Sequence, residues 1–268
     1  MVQVDVFWAY GIGAGMATAA SYRIKQDPAD KGPLLTTVVY CGLLFAPSGI
    51  WLLWGFPDWE TMQVASSHSS LPPWLVALFA ATNISQGMLG YWVARRLILS
   101  GRTYAAFLQA GLGYFGMFFI LVHGWDGRGY QRFFSASRDV FATWPANPTV
   151  ADGFSRAGDW LTSPVALTLY GMGAVLIPAM IAPMLTWIRA GHREAGVQRS
   201  AVLLVGLVFV AILGVTLGAA IVASVLIHQL GWWLGVPAVA LLMWLLIVRR
   251  RNGLAYLVFR PLMLPAHV

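Results

Sequence analysis

Apolar and polar positions follow one another along this chain in long blocks. Stretches free of Asp, Glu, Lys and Arg run over 6–22, 32–57, 61–94, 103–125, 160–188 and 200–248. A helix needs about 20 apolar residues to cross the hydrocarbon layer of a bilayer. The last block is 49 residues long. As one helix it would extend about 73 Å, more than twice that layer. It must cross, turn and cross again, and His228-Gln229-Leu230-Gly231 is the polar break that places the turn.

The pattern predicts an all-α polytopic integral membrane protein, a bundle of about seven transmembrane helices forming one domain over 1–268. The expected spans are about 4–22, 34–55, 74–95, 104–123, 164–188, 200–227 and 232–248. Period-2 alternation is missing, so a barrel is excluded. The start, MVQVDVFW, has no basic segment ahead of its apolar run, and the first span is expected to stay in the membrane.

The outer loop 124–163 carries further periodicity. Phe133, Val140, Phe141 and Trp144 fall on one helical face, and Val150, Phe154, Ala157 and Leu161 form another stripe. Thr149 followed by Asp152 reads as a helix start. Both segments are expected to be amphipathic helices on the outer surface. The tail 253–264 is too short to span and is expected at the inner interface.

Composition agrees with this reading: 59% of residues are hydrophobic and only 10% charged, where soluble proteins carry about a quarter charged. Charge then sets orientation. In the seven-span arrangement one face holds thirteen Lys and Arg, from Arg23, Lys25 and Lys31 to Arg249, Arg250, Arg251 and Arg260, and the other only Arg128, Arg132, Arg138 and Arg156. Basic residues near span ends stay in the cytoplasm, so the N-terminus is expected outside and the C-terminus inside, in a bacterial inner membrane. The net charge of +7 is spread over separate inner loops facing lipid headgroups, and no nucleic-acid partner is expected. The single cysteine, Cys41, excludes an intrachain disulfide. Of thirteen tryptophans, several, including Trp8, Trp187, Trp232 and Trp233, stand at span ends as interface anchors.

Several motifs read as packing. Gly111, Gly113 and Gly116 spell a dinucleotide fingerprint, but inside a span and without a preceding strand. Small residues there, like Gly11-x-x-x-Gly15 and Gly214-x-x-x-Gly218, suit close helix approach. Pro47, Pro178, Pro183 and Pro237 interrupt spans, and Pro47-Ser48 adds a hydroxyl to a mid-span break. Asn83, Gln86 and Gln109 lie inside spans, where unpaired amides cost several kcal/mol. They must face the bundle interior, bonded to another helix or to a ligand. Ser48, Asn83 and Gln86 are the candidate substrate contacts.

No Asp, Glu, Lys or Arg lies in mid-span, which counts against ion-coupled transport. A retinal protein needs a lysine in its last span, and the lysines here are Lys25 and Lys31. Ionisable residues gather instead at the outer end: His123, Asp126, His228, and Asp58, Glu60 and His68 in the loop 56–73. His123 and His228, with Asp126 and Asp58, are the candidate catalytic acid–base set, and His68, His123 and His228 the candidate metal ligands. Haem ligation by His123 with His228 is a third use. Solvation of a membrane rim explains such residues equally, and no H-x-x-x-H spacing is present.

The expected function is a membrane-embedded enzyme or binding protein for an apolar substrate, such as a lipid, isoprenoid or pigment, with its polar site at the outer face. The alternative is a non-catalytic subunit of a larger membrane complex, docking other chains and holding pigment, quinone or haem. A transporter ranks behind both.

Overall fold

The structure is a computed structural model. It describes residues 2–53, 73–123, 181–191 and 199–245, with single positions at 149, 151–152, 155, 158, 162 and 256. Among these residues all regular structure is helical, with no strand. The helices are α1 (Val2–Ala19), α2 (Ser21–Gln26), α3 (Gly32–Leu53), α4 (Pro73–Leu99), α5 (Thr103–Val122) and α6 (Arg199–Met243), with a further helical run at 181–191. The amphipathic segment expected at 133–144 lies outside the described residues.

Helix α1 is the centre of the bundle and packs chiefly on α4 and α5. Glycines allow this. A methyl group on Gly13 would overlap the Gly87 carbonyl, and one on Gly90 would overlap the Tyr10 carbonyl. On the α5 side, a methyl group on Gly113 would lie 2.6 Å from the Gly11 Cα. In hydrocarbon, where lipid competes with apolar side chains, such backbone approach holds helices together by dispersion and short polar contacts. Tyr10 supplies one of the latter: its hydroxyl donates to Gln109 Oε1 on α5 at 2.8 Å.

Two connections fix the chain's course at one end of the bundle. Helix α4 closes in a Schellman turn, with Gly101 N–H donating to the Ile98 carbonyl at 3.0 Å and Arg102 N–H to the Leu97 carbonyl at 2.8 Å. Gly101 takes φ +78 there, a left-handed conformation that glycine adopts without steric cost. Between α2 and α3, the Asp30 carboxylate accepts from the Gly32 amide at 2.8 Å and pairs with Arg23. Arg95 on α4 donates to the Pro28 carbonyl at 2.6 Å. The basic residues of these two connections therefore share one end of the bundle, as the charge count requires.

The longest helix is broken. Gly231 has φ 71 and ψ 170, and a methyl group on Gly235 would lie 2.6 Å from the Ile227 Cα. Eight residues of continuous helix span about 12 Å, so the chain folds back here. The break falls in the polar segment His228-Gln229-Leu230-Gly231. The return is long. Trp232 lies beside His123 at the end of α5, whereas Tyr256 lies against Tyr104 at its start, ring centres 5.5 Å apart. Residues 232 and 256 thus lie at opposite ends of α5.

The surface is apolar in stripes. Leu35, Val39 and Leu43 are exposed at four-residue spacing on α3, and Trp232, Trp233, Leu234, Val236 and Leu241 are exposed beyond the α6 break. Thr103–Val122 and Ile212–Met243 are the two helices among the described residues long and apolar enough to cross a membrane. Such stripes suit a hydrocarbon solvent, because in water they would make an exposed patch of the kind that drives association.

The crossing predicts a graded outcome. Gly13→Leu forces α1 off α4 and should destabilise the protein by about 1–3 kcal/mol or more. Gly111→Ala, whose methyl group would meet nothing within 4 Å, should be neutral or slightly stabilising. Thermal melts in detergent read both. The Asp30 cluster predicts a pH effect. The Gly32 amide, and then Arg23, hold the Asp30 carboxyl below its ordinary value. Its stabilising contribution is complete above the unfolded carboxylate pKa of about 3.9 and is lost as pH falls through the lower folded value. Asp30→Asn should lower the melting temperature at neutral pH, with the difference from wild type closing only at acid pH.

Candidate functional site

The site is built where α5 ends. Its apolar run closes at Val122, and His123 caps it, the backbone N–H donating to the Phe119 carbonyl at 2.8 Å. The imidazole folds back over the preceding turn and stacks on Phe119, ring centres 5.0 Å apart and planes 14° apart. Helix α6 supplies the facing side. Ser224 and His228 are four residues apart and so share a helix face. Ser224 Oγ lies 3.0 Å from His123 Nδ1, and the His228 ring centre lies 5.0 Å from that of His123 with planes 57° apart. Trp232, just past the fold-back, meets His123 edge-on at 5.2 Å.

His123 is only 1% exposed, and its Nε2 is buried with no hydrogen-bond partner. A buried polar atom left unpaired costs about 1–3 kcal/mol. The Ser224 contact decides what Nε2 presents. When Nδ1–H donates to Ser224, Nε2 carries a lone pair and acts as base or ligand. When Ser224 donates to Nδ1, Nε2 carries the hydrogen and acts as donor. Either form is suited to contact a bound molecule or to move a proton.

The histidines proposed from sequence, His123 and His228, are thus neighbours. Asp126, Asp58 and His68 lie outside the described residues. Ser48 lies within α3, and its side chain is also outside what is described. Asn83 is buried on α4 with Oδ1 lacking a partner, and Gln86 is half-buried one turn on. Their helix packs mainly on α1 and α3, whereas the His123 group is built between α5 and α6. Gln109 is accounted for by Tyr10. Among the described residues no group of three or more His, Cys, Asp or Glu gathers around one point.

Axial haem ligation does not fit this pair as it stands. Two imidazoles on opposite sides of one ion, with metal–nitrogen bonds of about 2 Å, hold their ring centres about 6.3 Å apart. Here they are 5.0 Å apart, with no room for a macrocycle between them. Sequence reasoning missed Ser224 and read Trp232 mainly as an interface anchor. The i, i+4 spacing of Ser224 and His228 was the available signal for the first.

Residues 102–265, which contain His123, Ser224 and His228, match an uncharacterized membrane protein family. The chain belongs to that family. It is also 40% identical over 224 residues to an uncharacterized protein of Archaeoglobus fulgidus, a match covering 79% of this chain and 91% of that protein. No solved structure matches it. Membership establishes the membrane as its location.

Removing the Ser224 hydroxyl should leave His123 Nδ1 unpaired in a buried place. Ser224→Ala is expected to cost about 1–3 kcal/mol. Ser85→Ala, which removes a hydroxyl bonded only to the Ala81 carbonyl on an exposed face, should leave the melt within about 0.5 kcal/mol of wild type.

Proposed function

We propose that this protein is a membrane-embedded enzyme or binding protein for an apolar molecule such as a lipid, isoprenoid or pigment, and that the molecule's polar end meets His123. One observation carries the reading: His123 Nε2 is buried, unpaired, and set among Phe119, His228 and Trp232. Aromatic walls around one directional polar atom are the usual composition of a small-molecule site. The polar atom orients the ligand, and the rings supply contact area for its apolar part. In an enzyme, His123 would transfer the proton and His228 would receive or relay it, with Asp126 or Asp58 as the orienting carboxylate.

In this reading the seven spans, the N-terminus outside and the C-terminus in the cytoplasm of a bacterial inner membrane place the histidines at the outer face. Lipid would enter laterally between helices, and Asn83, Gln86 and Ser48 would contact a deeper part of the bound molecule. The alternative, a non-catalytic subunit holding pigment or quinone, uses the same rings as a cradle without proton transfer.

Mass spectrometry after mild detergent extraction tests the reading. An apolar molecule enriched over bulk membrane lipid should co-purify with wild type and be reduced at least about tenfold in His123→Ala, the equivalent of about 1.4 kcal/mol of binding. Wild type and variant carrying the same lipids in bulk proportion would overturn it. Partner chains co-purifying in place of a small molecule would favour the subunit role.

A further inference from the structure

The turn between α4 and α5 carries more positive charge than the carboxylates near it neutralise. We propose that an anionic phospholipid docks there on the exposed face of α4, its phosphate held by Arg96 and Arg102 and an acyl chain lying along Leu89. Arg102 stands at the start of α5 and His123 at its other end, so the inference is independent of the proposed function.

Two observations support it. The first is unneutralised charge. The carboxylates of the α2–α3 connection are occupied locally: Asp30 accepts from the Gly32 amide and pairs with Arg23, and Asp27 accepts from the Ala29 amide at 3.0 Å. Arg95 donates to the Pro28 carbonyl and lies over the Trp92 ring, contacts that leave its charge in place. Among the described residues neither Arg96 nor Arg102 pairs with a carboxylate, and both are exposed. The Schellman turn keeps their backbones close, with the Ser100 amide donating to the Arg96 carbonyl at 3.1 Å and the Arg102 amide to that of Leu97 at 2.8 Å.

The second is where this charge stands. The exposed stripe of α4 runs from Leu78 through Leu89 and Trp92 to Leu99, and Arg96 lies within it, one turn from Trp92 and one turn from Leu99. A guanidinium flanked on both sides by exposed apolar surface belongs where hydrocarbon meets headgroups, the level that tryptophan also prefers. The counter-ion available at that level is a lipid phosphate, whose oxygens match the paired N–H donors of arginine. Leu89 lies about 10 Å from Arg96 along the helix axis, within the ~15 Å depth of one leaflet's hydrocarbon. Three arginines in eight residues favour a lipid of net negative charge over a zwitterionic one, because each basic side chain near the surface adds its own attraction.

Full-length protein in mild detergent would be titrated with dioleoylphosphatidylglycerol or dioleoylphosphatidylcholine, with and without inorganic phosphate, and native mass spectrometry would count the lipid that stays bound. The expected result is one saturable phosphatidylglycerol per chain, held at least about tenfold more tightly than phosphatidylcholine and not displaced by inorganic phosphate. Arg96→Gln and Arg102→Gln should each weaken that binding about fivefold, and the double variant about 30-fold. Arg189→Gln, which removes an exposed arginine from a different helix, should leave it unchanged. Far-ultraviolet circular dichroism would establish that each variant is folded. Should a glutamine variant not fold, Arg96→Lys carries the test: it keeps the charge, loses the paired donors and should show a smaller loss. Equal affinity for the two lipids would overturn the site, as would a loss in Arg189→Gln as large as that in Arg96→Gln, since the attraction would then be diffuse. Displacement by inorganic phosphate would overturn the lipid as occupant. The His123→Ala extraction reads the proposed function and the arginine variants read this site, so either can fail alone.

Discussion

Backbone contact between α1 and its neighbours is the constraint from which the remainder of the bundle follows. Where Gly13 faces Gly87 and Gly90 faces Tyr10, no side-chain atom fits between the helices. Their axes are fixed by main-chain atoms, which cannot rearrange as rotamers do. Gly113 on α5 meets Gly11 in the same way on the other side. With both neighbours held to one helix, the end of α5 has a defined position, and α6 packs against that end. His123 is therefore presented from a rigid element, as a directional polar atom requires.

Much of this architecture was legible because bilayer thickness sets a length scale that a charge-free block must match. The blocks located α1, α3, α4 and α5, and the fold-back at Gly231 was marked by polar residues beside a glycine. Thr149 and Asp152 form a reciprocal cap in the structure: the Thr149 amide and hydroxyl donate to the Asp152 carboxylate, and the Asp152 amide donates to Thr149 Oγ1 at 3.1 Å. That signal is local and survives without knowledge of the fold. The end of α1 was less visible. Ala20 leaves helical geometry and α2 starts afresh at Ser21, although no proline or glycine marks the place.

Helical phase was the main thing hidden. Gly214-x-x-x-Gly218 has the spacing of a packing motif, yet a methyl group on Gly214 would meet nothing within 4 Å. Gly13, Gly87 and Gly90, which carry the tightest crossing, do not stand out by spacing. A glycine's partner depends on which face its helix turns inward, and a uniformly apolar helix contains little information about that. For the same reason Ser224 was overlooked, while His123 and His228, conspicuous by their chemistry, drew notice and lie side by side. Asn83 was correctly placed in the interior by the cost of burying an amide, but that cost does not say which helix pair it would join.

The fold-back at Gly231 links the lipid-facing surface to the histidines. Just past it Trp232 touches His123, and the next residue, Trp233, is 93% exposed. Both follow directly on a turn whose positive φ glycine adopts without strain. The imidazole at the end of α5 is thus only one residue removed from one of the most exposed side chains among the described residues.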